Sequence, residues 1–264
     1  MTISPVLAQG RAALLTMNTL ESFPPRIRIA VVGASGGIGT AIVELFSQHP
    51  RVAMIYALSR TPCSIVSPKV TRGKLDMADE ESIASCAAMA SSESQLDIVV
   101  IATGILWSGE ALRPEKSMRE FSVEKLSQVL AINAVGPAMV AKHFLPKLRK
   151  NSKTVFAALS ARVGSIGDNR FGGWYSYRAS KAALNMLLKT LAIEQARLWP
   201  QSIVVGLHPG TVDTGLSRPY SKSTPPERLF SPETSAGHLV TVLDNVCRED
   251  SGGVFAWDGK RIEN

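Results

Sequence analysis

The sequence predicts an α/β fold, a doubly wound parallel sheet in a single domain, and three observations carry that expectation. From Arg26 onward short apolar runs of β type alternate with helical patterns, as βαβ units joined by right-handed crossovers require. The run at residues 96–102 is of the kind expected for a parallel strand buried on both faces. A glycine-rich turn, Gly33-Ala34-Ser35-Gly36-Gly37-Ile38-Gly39, stands between the first apolar run and the first helical pattern.

Taken in order, residues 27–32 read as a strand, 38–46 as a helix and 52–58 as a second strand closed by Ser59-Arg60-Thr61-Pro62. A short strand at 70–75 precedes an alanine-rich helix at 80–90, and the buried strand at 96–102 follows. A long helix spans 123–150, then come a strand at 154–159, a helix at 176–198 and a strand at 203–207. Residues 232–246 are helical, and 253–257 form a last strand before an Asp258-Gly259 turn. No repeat or long linker interrupts the pattern, so 26–264 is expected to be one domain. Residues 1–25 have a different texture, with no acidic residue before Glu21 and a single Arg, Arg11. They read as an arm outside the fold, an organelle-targeting segment, or an over-long start with Met17 as initiator.

Composition narrows the function classes. The 264 residues are 45% hydrophobic and 19% charged, which excludes a disordered or fibrous chain. A chain of this size buries roughly three quarters of its unfolded surface and needs no staple. Cys63, Cys86 and Cys247 lie far apart with no Cys-x-x-Cys pair, which points to a reducing, cytoplasmic compartment and against a metal site. The apolar runs fall short of the roughly 20 residues of a membrane span, so no membrane partner is expected. The net charge is +7, with Lys142, Lys147, Arg149, Lys150 and Lys153 close together. Only Phe144 accompanies them, so they read as a solvated helix end favoured by the dipole rather than a nucleic-acid surface.

Four positions carry chemistry. Glycines 33, 37 and 39 let the backbone turn sharply and approach a pyrophosphate at a helix N-terminus; a tight turn with no ligand uses the same residues. In Tyr177-Arg178-Ala179-Ser180-Lys181 the spacing of four puts Tyr177 and Lys181 on one helix face. A neighbouring ammonium favours phenolate and draws the phenol down from near 10 toward a usable general acid/base. Tyr175 stands six residues from Lys181 and faces elsewhere. Ser160, after the strand at 154–159, is placed to hydrogen-bond a substrate oxygen, with Ser165 as its rival. Asn133 falls in the apolar stripe Leu126, Leu130, Pro137, Val140 and Phe144, where a polar side chain needs partners.

Together these residues resemble the short-chain dehydrogenase/reductase family and, within it, the C-factor-like carbonyl reductases, from about Arg26 to the end. The resemblance implies a Rossmann-type sheet that binds NAD(P), with Gly33, Ser35, Gly37, Ile38 and Gly39 at the cofactor and Asp76 and Met77 on its adenine side. It implies a tetrad of Asn133, Ser160, Tyr177 and Lys181, the last three acting on the carbonyl and its proton, with Asn133 anchoring a water toward Lys181. Gly104, Pro209, Gly210, Thr211 and Thr214 match segments that close on the nicotinamide. Ile101-Ala102-Thr103-Gly104 replaces the family's frequent Asn-Asn-Ala-Gly, and the interval from Ser160 to Tyr177 is lengthened by residues 167–174, an insert that C-factor-like members share. The implied partners are a small carbonyl or alcohol substrate and a second copy of the chain in a dimer or tetramer; the helix after Tyr177 is apolar on nearly every side. A dinucleotide-binding sensor on the same fold is the alternative.

The cofactor is expected to be NADP rather than NAD. An acidic side chain after the second strand receives the ribose hydroxyls of NAD, whereas an Arg there accommodates the 2′-phosphate. Here Ser59 and Arg60 follow that strand, and no Asp or Glu occurs between Arg51 and Lys74.

Overall fold

The computed structural model describes residues 19–221 and 225–263. Its strands are β1 (Ile27–Val32), β2 (Val52–Ser59), β3 (Val70–Lys74), β4 (Ile98–Ile101), β5 (Thr154–Leu159), β6 (Ser202–His208), β7 (Thr211–Val212), β8 (Leu229–Phe230), β9 (Val254–Ala256) and β10 (Arg261–Ile262). Its α-helices are α1 (Gly37–Gln48), α2 (Glu80–Ala90), α3 (Val123–Leu130), α4 (Gly136–Phe144), α5 (Tyr175–Leu198) and α6 (Pro232–Asn245). Eight strands form one sheet in the order β10-β9-β6-β5-β4-β1-β2-β3, and β7 and β8 pair separately. All neighbours in the large sheet run parallel except β10, which the sequence reading lacked and which closes the edge antiparallel to β9.

The helices cover both faces, and the strands alternate between two cores accordingly. Ile29 and Val31 of β1 pack with Ile42, Val43 and Phe46 of α1 and Leu239 and Leu243 of α6. Ala30 and Val32 point the other way, into a core shared with Ile83 of α2, Val140 and Phe144 of α4, and Leu184 and Leu188 of α5. Burying each such branched side chain contributes about 1.5–3 kcal/mol, so the period-two pattern fixes the register of every central strand. Asp97 enters this apolar region just before β4 and is fully buried. Its carboxylate accepts the Arg28 N–H at 2.9 Å and pairs with Arg149 Nε at 2.8 Å, which satisfies the charge at the amino end of the sheet.

The expected helix at 123–150 is divided. A π-helical turn, Ala131–Val135, separates α3 from α4, and a 3₁₀ turn, Leu145–Lys147, ends the segment. Pro137 lacks the N–H that an α-helix would give to the Asn133 carbonyl, which is where the regular pattern fails. By length and composition Val123–Lys147 is apolar enough to cross a membrane, a match the sequence reading missed. Half of it is buried, with Val140, Ala141 and Phe144 in the core of the sheet's second face.

The basic residues expected at a solvated helix end are engaged in separate contacts. Lys142 pairs with Glu80 at 2.6 Å, Arg149 with Asp97, and Lys150 lies over the Trp199 ring at 5.2 Å. Lys153 donates to the Asp244 carbonyl at 2.7 Å and to Ser22 Oγ at 2.9 Å.

The folded unit begins before Arg26, which corrects the boundary expected there. Leu20 and Phe23 are buried in the core beside α1 and α6. Asp244 at the end of α6 accepts the N–H groups of Leu20 and Ser22, at 2.9 and 3.3 Å. Arg51 donates to the carbonyls of Leu20 and Phe23, at 3.2 and 2.6 Å. Two apolar anchors and a charged clasp thus hold this segment, whereas composition alone showed only an acid-poor stretch of different texture. The rest of the expected arm, residues 1–18, lies outside the described residues.

Candidate active site

The order of the sheet reverses between β1 and β4, and a cavity of about 930 Å³ opens at the carboxyl ends of the strands there. Gly33, Ser35, Ser59, Arg60, Asp76, Met77 and Gly104 all line it. Gly33 takes φ +86°, a left-handed conformation, and a Cβ there would stand 2.8 Å from Thr103 Cγ2. Gly39 packs directly against the Gly33 carbonyl with no room for a side chain. Helix α1 starts at Gly37 with no side-chain cap, so its first N–H groups, through Ile38 and Gly39, lack intrahelical partners. A cradle without side chains facing open N–H groups fits a bound pyrophosphate. The Thr103 hydroxyl, buried in the cavity wall without a protein partner, adds a polar group available to a ligand.

At one end of the cavity Ser59 Oγ donates to the Thr61 carbonyl at 2.6 Å, and Thr61 Oγ1 donates to Ser35 Oγ at 3.0 Å. Thr61, which sequence reasoning passed over, thus ties the turn after β2 to the glycine turn, and Arg60 beside it is exposed. The Asp76 carboxylate accepts the Ala78 N–H at 3.0 Å, and Met77 packs so closely on Gly136 that a Cβ there would lie 2.8 Å from Met77 Cε. Thr214 sits over the start of α1, since a Cβ on Gly37 would lie 2.8 Å from its methyl group. The segment that brings it there begins at Pro209, whose carbonyl accepts Ser235 Oγ at 2.9 Å, and turns at Gly210, φ +80°, against the Phe230 ring. Thr211 then opens β7.

Two residues of the expected tetrad meet beyond Gly104, where a Cβ would lie 3.5 Å from Asn133 Oδ1 and 3.7 Å from Lys181 Nζ; none of the four lines the cavity itself. Asn133, in the π turn, is fully buried. Its Oδ1 accepts the Ile105 N–H and its Nδ2 donates to the Ile105 carbonyl, both at 2.8 Å, and to Ser180 Oγ at 3.0 Å. The side-chain amide therefore pins the loop after β4 to α5. Ser160 follows β5 and donates to Asn185 Oδ1 at 2.6 Å. Asn185 lies on the same face of α5 as Tyr177 and Lys181, at the next spacing of four, and that spacing was the signal that could have found it. The rival Ser165 instead accepts the Asp168 N–H at 3.1 Å in the insert.

Lys181 Nζ donates to the Leu159 carbonyl at 2.8 Å and lies 5.7 Å from the centre of the Tyr177 ring. Burial pushes the Tyr177 phenol up to about 12 and the Lys181 ammonium down to about 8. The expected downward pull on the phenol is thus outweighed by desolvation. Tyr175 meets the Phe121 ring instead, in a tilted contact at 4.9 Å. Trp174 meets the Tyr177 ring edge-on at 6.2 Å and Tyr220 at 5.3 Å, while Trp107 Nε1 donates at 3.0 Å to the carbonyls of Gly215 and Leu216. The rim beside the phenol is therefore aromatic.

A smaller cavity of about 400 Å³ between α6 and β9, lined by His238, Phe255 and Trp257, involves none of these residues.

A lysine whose pKa is lower folded than unfolded binds fewer protons in the native state between the two values. Its contribution to stability therefore rises from about pH 8 to the unfolded value near 10.5. Urea unfolding of the wild type and Lys181→Met across that range should show the wild type gaining stability relative to the variant as pH rises. A constant difference would mean that Lys181 titrates normally.

The sequence pattern of the short chain dehydrogenases matches residues 28–225. The 1-hydroxy-2-glutathionyl-2-methyl-3-butene dehydrogenase of Rhodococcus sp. (strain AD45) is 30% identical over 238 residues, 89% of this chain and 98% of that protein. The C-signal protein of Myxococcus xanthus is 35% identical over 138 residues, 52% of this chain and 77% of that protein. Among solved structures, the NADPH-bound carbonyl reductase from chicken fatty liver superposes with TM-score 0.78 at 25% identity, covering 94% of this chain and 98% of that one. The carbonyl reductase Sniffer of D. melanogaster shares the fold with TM-score 0.76 at 21% identity, over 91% of this chain and all of that one. With the glycine turn at the sheet's point of reversal, and a half-buried tyrosine and a buried lysine one turn apart, the chain belongs to the short-chain dehydrogenase/reductase family of NAD(P)-dependent oxidoreductases.

Proposed function

We propose that the chain transfers a hydride between NADP(H) and a carbonyl compound or the matching secondary alcohol, with Tyr177 as the general acid/base. The observation that carries this reading is the half-buried Tyr177 with the buried Lys181 one turn on, its ammonium lying beside Gly104 of the cavity wall. Gly33, Ser35, Gly37, Ile38 and Gly39 would hold the pyrophosphate on the N-terminus of α1, with Asp76 and Met77 at the adenine end and Pro209–Thr214 closing beside Gly37. A bound nicotinamide supplies the hydride. With its pKa raised by burial, the Tyr177 phenol is protonated at neutral pH and holds the proton that a carbonyl oxygen would take up. Lys181, still largely charged at pH 7, then faces the phenolate left behind. Ser160 reaches a substrate oxygen by turning its hydroxyl from Asn185. The aromatic rim of Trp107, Trp174 and Tyr220 suits a carbonyl carried on an apolar, planar group.

Tyr177→Phe keeps the ring's volume and removes the proton. It should retain NADPH binding and lose about 10²- to 10⁴-fold in reduction of the best substrate from a panel of aldehydes, ketones and quinones. Wild-type binding without turnover of any of them would favour the sensor reading, which the likeness to C-signal supports.

NADP is the preferred cofactor in this reading because Arg60 stands exposed at the cavity beside Ser35 and Thr61, free to meet a 2′-phosphate. The NADPH in the chicken carbonyl reductase supports the same choice. Arg60→Ala should weaken NADPH by roughly 10- to 100-fold and leave NADH nearly unchanged in a fluorescence titration. Equal losses for both would remove Arg60 from the role.

The same reading includes a homodimer or homotetramer in the cytoplasm. Val123 and Val135 on α3 and the π turn, and Met186 and Ile193 on α5, are exposed apolar side chains on adjoining segments. The cysteines are free, Cys63 and Cys86 buried and Cys247 exposed, as a reducing compartment allows. Light scattering at micromolar concentration should give at least twice the chain mass of 28.3 kDa; a monomer would refute the assembly.

A further inference from the structure

Helix α5 carries Tyr177 and Lys181, yet its own first residues do not cap it. The residue before it, Trp174, is left-handed at φ 52° and gives no side-chain hydrogen bond to the helix. Gly172 and Gly173 are left-handed as well, at φ +64° and +65°, so the insert enters the helix through three successive residues of that hand. For a tryptophan this conformation is unfavourable and must be held from outside.

The hold comes from Glu115, in the loop between β4 and α3, 61 residues before the serine it contacts. Glu115 is 1% exposed and Ser176 2%. One carboxylate oxygen accepts the Ser176 N–H at 3.1 Å, and the other accepts the Ser176 hydroxyl. The Glu115 carbonyl accepts the Trp174 N–H at 2.6 Å. Side chain and main chain of one residue thus grip both sides of the helix start, a capping role filled from a distant loop. The same loop is tied at Ile105 to Asn133 and at Trp107 to the carbonyls of Gly215 and Leu216. Tyr177 is one residue past Ser176, so any fraying of this turn moves the phenol first.

We propose that Glu115 is a positioning residue for Tyr177: by capping α5 from the loop after β4, it fixes the phenol against the cavity and couples its position to the loops that frame the substrate. It is buried and does not line the cavity, and the proposal rests on the reading of Tyr177 as the proton donor.

The test uses the full chain with ¹³Cζ-labelled tyrosine, the Tyr177 resonance being assigned by its loss in Tyr177→Phe. In the wild type this phenol titrates well above the usual 10, toward about 12. Glu115→Ala leaves the helix start unsatisfied, so the Tyr177 titration should fall toward 10 as the phenol meets water. Its kcat should drop roughly 10- to 100-fold with the KM for NADPH unchanged, the size expected from misplacing a reacting group by about an ångström. Glu115→Gln can accept from the Ser176 N–H and donate to its hydroxyl. It should keep the raised titration and stay within a few-fold of wild-type kcat. If Glu115→Ala does not fold, Ser176→Ala, which removes one of the two contacts, should show a smaller change of the same kind. A titration and kcat in Glu115→Ala unchanged from wild type, or a loss in Glu115→Gln as large as in Glu115→Ala, overturns the proposal. The resonance needs no turnover: a shift in Glu115→Ala with a wild type inactive on every carbonyl would sink the reductase reading and leave the cap standing.

Discussion

Everything functional in this molecule follows from one constraint: a parallel sheet buried on both faces leaves open main-chain groups only at its rims. β1 lies in the middle, and the chain leaves it toward β2 and β3 on one side before returning through β4 toward β5 and β6 on the other. The connections at the carboxyl end therefore diverge between β1 and β4, and nothing in the sheet fills the space. The glycine turn, the turn after β2 and the loop after β4 line that divergence, and the lysine of α5 reaches the far side of Gly104. The opposite rim is closed instead by Asp97, which accepts the Arg28 main-chain N–H and pairs its charge with Arg149.

Around this opening a small set of polar side chains does structural duty first. Asn133 binds both main-chain groups of Ile105, Ser180 links that amide to the Tyr177 carbonyl at 2.8 Å, and Asn185 holds Ser160. Each is buried where an unmade hydrogen bond is expensive, so the network has few alternative arrangements. The reacting groups inherit that rigidity. It also explains the opposed titrations of Tyr177 and Lys181: a site made dry enough to orient them penalises the charged form of both.

Much of this was legible in the chain itself. Alternating apolar runs gave the layers because a buried strand and an amphipathic helix leave different periods, and the glycines and the Tyr177–Lys181 spacing are local patterns on single elements. Glu115, Thr61 and Leu20 were not legible, because each works through a residue far along the chain, and nothing beside a lone acid, hydroxyl or leucine says what it will meet. Asn133 was visible as a polar residue in an apolar stripe, but its partners were not, since they belong to a loop and to another helix. The phenol's burial was likewise invisible: sequence places a lysine beside a tyrosine but does not state how much water reaches them.

The π turn before Pro137 carries a consequence for helical phase. Val129, Asn133 and Pro137 are buried at intervals of four, and on a helix of 3.6 residues per turn each such step drifts by about 40° around the axis. Left uncorrected, an ideal helix would bring Val140 about 20° and Phe144 about 60° around the axis from the direction of Val129, turning the phenylalanine from the sheet. The Gly136 N–H reaching back to the Ala131 carbonyl widens one turn and resets the angle. The segment thus behaves as two helices in different phase joined by a spacer, with Asn133 in the spacer itself, so the side chain that ties down the loop after β4 is aimed by the same irregularity that keeps α4 seated on the sheet.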